Sequence, residues 1–235
     1  VAGARAAGFR HLNLDLMFGL PDQDPRRALA ELQQLIDLGP DHISYYQLTL
    51  EPNTAFHRAP PPLPDDDALW AMQEQGRALL AGAGFSRYEV SAYAQAGARC
   101  RHNLNYWTFG DYLGIGAGAH RKVTWDAPGW IQRAWNPRDP TRYLAGVSAG
   151  PSPALTAQRR LTPEELPLEF MINVLRLDSG FTPALFEART GLPFNTLEPP
   201  ITRALETGLL AESDGCWRPT PLGQRFLNDL QQLFL

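Results

Sequence analysis

The stretch His102-Asn103-Leu104-Asn105-Tyr106-Trp107 gathers an imidazole, two carboxamides, a phenol and an indole within six residues. An imidazole nitrogen can bind iron, and flat aromatic rings can flank a flat macrocycle. The segment behind it, Phe109 to His120 (FGDYLGIGAGAH), is rich in glycine, which leaves backbone open to the close approach of a ligand. Together they mark a candidate site. The same residues have a plainer reading, because loop histidines are commonly only hydrogen-bonded and Tyr-Trp pairs commonly anchor the edge of a core. Residue chemistry alone leaves both open.

Other motifs are weaker. Gly114 to Ala119 formally matches the dinucleotide fingerprint G-x-G-x-x-G/A. A true fingerprint links a strand to a helix and has an acid about twenty residues on. Here the run continues into Arg121-Lys122-Val123-Thr124-Trp125, which does not read as a helix, so a nicotinamide or flavin site is rejected. Asp15 sits in an apolar run, and a buried carboxylate must be paired or hydrogen-bonded. Ligand contact at a strand end and a structural salt bridge are equally good accounts of it. For Glu51 the structural account is preferred. Asp65-Asp66-Asp67 reads as helix capping. His11, His42 and His57 have no ligand spacing and read as structural or solvent-facing.

The elements that would position these residues follow from periodicity. Asn13–Phe18 is a short apolar run closed by Gly19-Leu20-Pro21, a strand leaving through a turn. Asp24 and Pro25 supply an N-cap and a first-turn proline, and Leu29, Leu32, Leu35 and Ile36 recur at helical spacing until Gly39-Pro40. His42–Leu48 is a second strand, which implies a parallel pair with a right-handed crossover. A proline-rich connector, 60–64, leads to a helix capped by Asp65 with Leu69, Met72, Leu79 and Leu80 on its apolar face. Phe85–Tyr93 is expected as one further strand, the His102 segment as a loop, and Trp125–Pro140 as a long irregular loop.

Composition changes again near Pro151. Helices are expected over Pro163–Arg176, Pro183–Thr190, Ile201–Thr207 and Leu222–Leu233, with a hairpin over Leu209–Pro219 turning at Asp214-Gly215. That order is winged-helix-like. Residues 160–235 have no concentrated basic face, so nucleic acid is not the expected partner. The predicted domains are 1–150 and 151–235.

The 235 residues are 44% hydrophobic and 20% charged with a net charge of −4, a globular composition without a basic surface. Cys100 and Cys216 are the only cysteines, which points to a reducing compartment without a disulfide framework. Two thiols cannot hold an iron–sulfur cluster between them. No apolar run approaches the ~20 residues that span a bilayer, and no signal peptide opens the chain, so the cytoplasm is expected, with at most peripheral membrane contact.

Five blocks carry a family resemblance: NLDLMFGLPDQ (13–23), HISYYQLTLEPNTAF (42–56), LPDDDALW (63–70), YEVSAYA (88–94) and CRHNLNYWTFGDYLGIGAGAH (100–120). In this order they resemble the HemW-type haem chaperones of the radical S-adenosylmethionine superfamily, relatives of the HemN oxygen-independent coproporphyrinogen III oxidases. The resemblance covers the whole chain. It implies an α/β fold, the C-terminal part of a partial (β/α)6 radical-SAM barrel over 1–150, followed by a small, mostly helical winged-helix-like domain over 151–235. It implies S-adenosylmethionine, a [4Fe–4S] cluster and haem as cofactors, and a haem-acceptor protein as partner.

By the same resemblance, Asp15 and Thr49 contact S-adenosylmethionine, while His102, Asn103, Tyr106 and Trp107 contact haem, with His102 the iron ligand. The C-x-x-x-C-x-x-C loop of that superfamily is absent, and so is its glycine-rich S-adenosylmethionine segment. Val1 falls where a fourth barrel helix would end, so the chain is expected to be N-terminally truncated, to lack cluster ligands and not to be catalytic by itself. The expected function is haem binding and transfer to acceptors. Decarboxylation of porphyrinogen propionates, as in an oxygen-independent coproporphyrinogen III oxidase of porphyrin biosynthesis, is the alternative, and a cluster-free binding protein is a third.

Overall fold

The computed structural model describes residues 1–125, 129–149 and 157–235. They form two compact units, Val1–Cys100 and Arg101–Leu235. The expected boundary at 150/151 lies outside the described residues. The division by packing comes earlier because Leu104 and Trp107 belong to the core of the second unit.

The first unit runs α1 (Ala2–Ala6), β1 (Asn13–Phe18), α2 (Pro25–Asp37), β2 (His42–Gln47), α3 (Ala55–Arg58), α4 (Asp66–Gly82), β3 (Ser86–Glu89) and β4 (Ala92–Ala94). β1 and β2 pair in parallel from Asn13↔His42 to Phe18↔Gln47, with α2 as the crossover. Both long helices start as their sequences dictate. Asp24 accepts from the Arg27 N–H at 2.7 Å, and Asp65 accepts from the Ala68 N–H at 2.8 Å. Phe18, Leu32, Ile43, Tyr45, Met72 and Leu80 form the buried core between sheet and helices. Each such side chain contributes about 1.5–3 kcal/mol by leaving water. The pleat puts Asn13, Asp15, His42 and Ser44 on the other face.

The single strand expected over Phe85–Tyr93 is two. Glu89 Oε1 accepts from both the backbone N–H and the hydroxyl of Ser91, which turns the chain after β3. β4 then slots between β2 and β3, antiparallel to both, in the order β1-β2-β4-β3.

The second unit comprises α5 (Arg101–Trp107), β5 (His120–Trp125), β6 (Trp130–Trp135), α6 (Pro140–Ser148), β7 (Ala157–Arg160), α7 (Leu166–Val174), α8 (Pro183–Thr190), a 3-10 turn (Phe194–Leu197), α9 (Pro200–Glu206), β8 (Leu210–Ser213), β9 (Cys216–Pro219), α10 (Pro221–Arg225) and α11 (Leu227–Gln232). Within the expected Trp125–Pro140 loop, Trp125 and Trp130–Trp135 are instead in strands, since β5, β6 and β7 form an antiparallel sheet. Its tryptophans are cross-strand partners: Trp125 faces Trp130 with stacked rings 5.9 Å apart, and His120 faces Trp135.

The hairpin over β8 and β9 turns at Asp214 (φ 55°) and Gly215 (φ 72°), as its sequence requires. α7 starts at Leu166, after Pro163. The last expected helix is broken at Phe226 (φ −110°, ψ 46°). Phe170 is the hub of this core, in edge contact with Phe109, Phe181 and Phe186 at 5.1–5.8 Å. Among the described residues no helix is long and apolar enough to cross a membrane.

Candidate functional site

His102 lies on a helix, α5, and not in the expected loop. At helical spacing His102 and Tyr106 are one turn apart, and so are Asn103 and Trp107, giving two neighbouring i, i+4 pairs. Leu104 and Trp107 pack against the second unit's core, which pins the helix and leaves His102 exposed. The His102 ring has no hydrogen bond or ion pair among the described residues. The helix ends through its own side chains. Thr108 Oγ donates to the Leu104 carbonyl at 2.7 Å, and Asn105 Nδ2 donates to the Asp111 carbonyl at 2.8 Å. A Cβ at Gly110 would overlap the Asn105 side chain, so this turn requires glycine.

The aromatic members are held in a cluster. The Tyr106 ring meets Trp107 edge-on at 4.7 Å and Tyr112 at 4.9 Å. The Arg176 guanidinium stands over the Trp107 ring at 4.3 Å. Trp107 Nε1 is buried without a hydrogen-bond partner among the described residues. An orphaned buried donor costs about 1–3 kcal/mol.

Beneath this cluster runs a polar scaffold that sequence reading missed, because its members are distant in the chain. Arg133 donates to Tyr112 Oη at 2.7 Å and pairs with Glu169 at 2.5 Å, and Glu169 also meets Arg159 at 3.4 Å. Burial pushes the Tyr112 phenol up to about 12; Arg133 opposes the rise and Tyr106 adds to it. Lys122, the chain's one lysine, is buried beside them. Its Nζ donates to the Phe109 carbonyl at 3.0 Å and to Asp111 at 2.9 Å, and stands 4.1 Å from the Phe109 ring centre. Burial pulls its pKa below the usual lysine value, with the Asp111 pair offsetting part of that. For Asp111, burial pushes upward, but the Thr124 N–H and Lys122 outweigh it and hold the carboxyl below its ordinary value.

The glycine run 114–119 links a turn to strand β5 rather than a strand to a helix, in keeping with rejection of the dinucleotide reading. A Cβ at Gly114 would overlap the His120 carbonyl.

In the first unit, Asp15 is exposed, the third residue of β1, and not the buried strand-end carboxylate expected. The pleat sends Leu14 and Leu16 to the core and Asp15 to the opposite face, where Asn13 Nδ2 donates to it at 2.7 Å. Thr49 is also exposed, beyond the end of β2, and donates to Glu51 at 2.8 Å. Asp15 is in register with Ser44 inside β2, whereas Thr49 lies two residues beyond the end of that strand. The structure does not bring them together.

His42 bridges this face. Asn13 Oδ1 accepts from its Nδ1 at 2.6 Å, and its Nε2 accepts from Tyr88 Oη at 2.8 Å. Burial holds its pKa below the ordinary histidine value, with Asp15 opposing. Cys100 and Cys216 are free thiols, one in each unit. Among the described residues no group of three His, Cys, Asp or Glu side chains is placed to hold a metal ion.

The family model for the HemN C-terminal domain matches residues 161–226. Over 232 residues the chain is 47% identical to the heme chaperone HemW of Escherichia coli, covering 99% of this chain and 60% of that protein. The corresponding figures for the heme chaperone HemW of Haemophilus influenzae are 46%, 99% and 59%. Over nearly its whole length the chain resembles the HemW-like proteins of the radical S-adenosylmethionine family. It spans about 60% of the length of these HemW relatives. The solved structure of coproporphyrinogen III oxidase (HemN) from Escherichia coli, described as a radical SAM enzyme, superposes with a TM-score of 0.76 at 19% identity. That match covers 99% of this chain and 56% of the other. It shows the fold: part of a partial (β/α)6 radical-SAM barrel, followed in sequence by the small, mostly helical winged-helix-like domain expected of HemW-like chains.

Proposed function

We propose that this chain is the haem-handling portion of a haem chaperone, which binds haem at helix α5 and passes it to an acceptor protein. One observation carries the reading: His102 is exposed and, among the described residues, free of hydrogen bonds, one turn from Tyr106, on a helix fixed by Leu104 and Trp107. The donor set fits the cargo, because an imidazole binds haem iron and the Tyr106, Trp107 and Tyr112 rings offer faces and edges to a macrocycle. Asn103, next to His102 on the helix, would be a further haem contact, and the orphaned Trp107 N–H is a donor for which a ligand would supply the acceptor. The names of the relatives support the same reading. An exposed imidazole would hold haem at the protein surface, where an acceptor's ligand could replace it, so haem could leave by ligand exchange.

In this reading residues 1–150 act as barrel and haem-motif region, 151–235 as the C-terminal domain, and the protein works in the cytoplasm. Its partners are haem and a haem-acceptor protein, without nucleic acid and with at most peripheral membrane contact. Asp15 Oδ2 and the Thr49 hydroxyl can each accept a hydrogen bond, so either fits a contact to S-adenosylmethionine, which would supply a sulfonium and an amino group. Their separation makes them contacts to different parts of it. A [4Fe–4S] cluster does not fit the two cysteines of this chain.

The test loads the chain with ferric haem and mixes it with an apoglobin. Stoichiometric loading followed by transfer supports the reading. Failure of the wild-type chain to load, or anaerobic consumption of coproporphyrinogen III by the whole protein at catalytic rates, overturns it in favour of the oxidase alternative.

A further inference from the structure

A second feature of the second unit has no role so far: an open cavity of about 640 Å³ on the sheet beyond the Tyr112–Lys122 bridge. One wall is aromatic, with the His120 and Trp135 rings stacked 5.9 Å apart at 24°. Arg138 and Arg142 also line the cavity, and neither guanidinium has an ion pair or hydrogen bond among the described residues. The one carboxylate at the cavity, Asp139, is turned to capping α6 through the Arg142 N–H at 2.7 Å.

The floor is rigid. Asn136, buried, donates to the carbonyls of Gly114 (3.3 Å) and Gly116 (2.8 Å) and accepts from Arg121 at 2.6 Å. The volume is that of a small-molecule pocket. Two unpaired guanidiniums recognise carboxylates in planar, bidentate fashion, and stacked rings recognise a flat apolar body.

Position connects this cavity to the haem helix. Cross-strand partners share a face, so His120 and Trp135 stand on the same face as Lys122 and Arg133, one row along, or about 7 Å. Tyr112 bridges to Lys122 on that row and touches Tyr106 of α5. We propose that the His120–Trp135–Arg138–Arg142 cavity is a carboxylate subsite for a planar tetrapyrrole. This rests on the haem reading above for the identity of the ligand.

Metal-free protoporphyrin IX is the probe, because without iron it forms no bond to His102. The full chain should bind it at least tenfold more tightly than its dimethyl ester, as expected for losing one or two charge-assisted contacts. An Arg138→Gln/Arg142→Gln variant should lose that preference while binding the ester as the wild type does. The two arginines are exposed surface residues, and an unchanged urea midpoint confirms that the variant is folded. Equal binding of acid and ester by the wild type, or an undiminished preference in the variant, overturns the subsite. If the acid preference holds but ferric haem gives no His102-dependent spectrum, the subsite stands and the iron-ligand reading fails.

Discussion

Lys122 and Asp111 form an unequal pair, and that inequality yields an ordered prediction. The lysine side chain is 2% exposed and the aspartate 43%. In Lys122→Met the stem is replaced by a side chain of similar volume that still packs on the Phe109 ring, and Asp111 is rehydrated while keeping both Thr124 donors. The main loss is the charged donor to the Phe109 carbonyl, about 1–2 kcal/mol. In Asp111→Ala the buried ammonium keeps only that carbonyl, and the Thr124 N–H and hydroxyl lose their acceptor. Breaking a buried pair from the anion side costs about 3–5 kcal/mol, and water access at this half-exposed site moves the figure towards 3.

Urea unfolding of the full chain at pH 7 reads both variants as midpoint shifts at constant slope. A Lys122→Met variant as unstable as Asp111→Ala, or more so, would refute the reasoning. The pH dependence has a defined sign. The folded-state pKa of Asp111 lies below its unfolded value, so its contribution is present above about pH 4 and is lost as pH falls through the folded value. The Lys122 pKa is lowered, so stability rises with pH between its folded and unfolded values. Asp111→Ala should flatten the acid limb.

His42 titrates below its ordinary value in the fold, so the unfolded chain binds the extra proton first and stability should fall as pH drops below about 6.5. In His42→Gln that slope should vanish from urea midpoints taken between pH 5 and 7.5; an unchanged slope assigns it elsewhere. Leu104→Ala removes half-buried contacts between α5 and the core, costing roughly 1–3 kcal/mol. It should weaken haem binding severalfold without touching the iron ligand, measured by haem titration under conditions where the variant is folded. Unaltered affinity would show that the anchoring of α5 is irrelevant to the site.

Local chemistry made much of the first unit, and the β8–β9 hairpin of the second, legible. β1 has its expected bounds, and Asp24, Asp65 and the Asp214-Gly215 turn act where their residue types demand. What escaped depends on partners far along the chain. α5 contains two asparagines with weak helix preference and exists because Leu104 and Trp107 bury and Asn105 closes its end. The β5–β6 pair hides its alternation, because a lysine occupies an inward position and tryptophans occur on both faces. Asp15 is exposed rather than buried because β1 is two-faced, a property that its apolar neighbours Leu14, Leu16, Met17 and Phe18 conceal in the sequence. Thr49 came only from family resemblance, and no local signal would have set it apart from Asp15.

Ferric haem titrated into the full chain, followed by the Soret band, bears most directly on the role of His102. The wild type should saturate at one haem per chain with a shifted band. His102→Ala should lose the shift and regain it with added imidazole, while His57→Ala, also exposed, should behave as wild type. An intact shift in His102→Ala, or none in the wild type, would contradict the assignment.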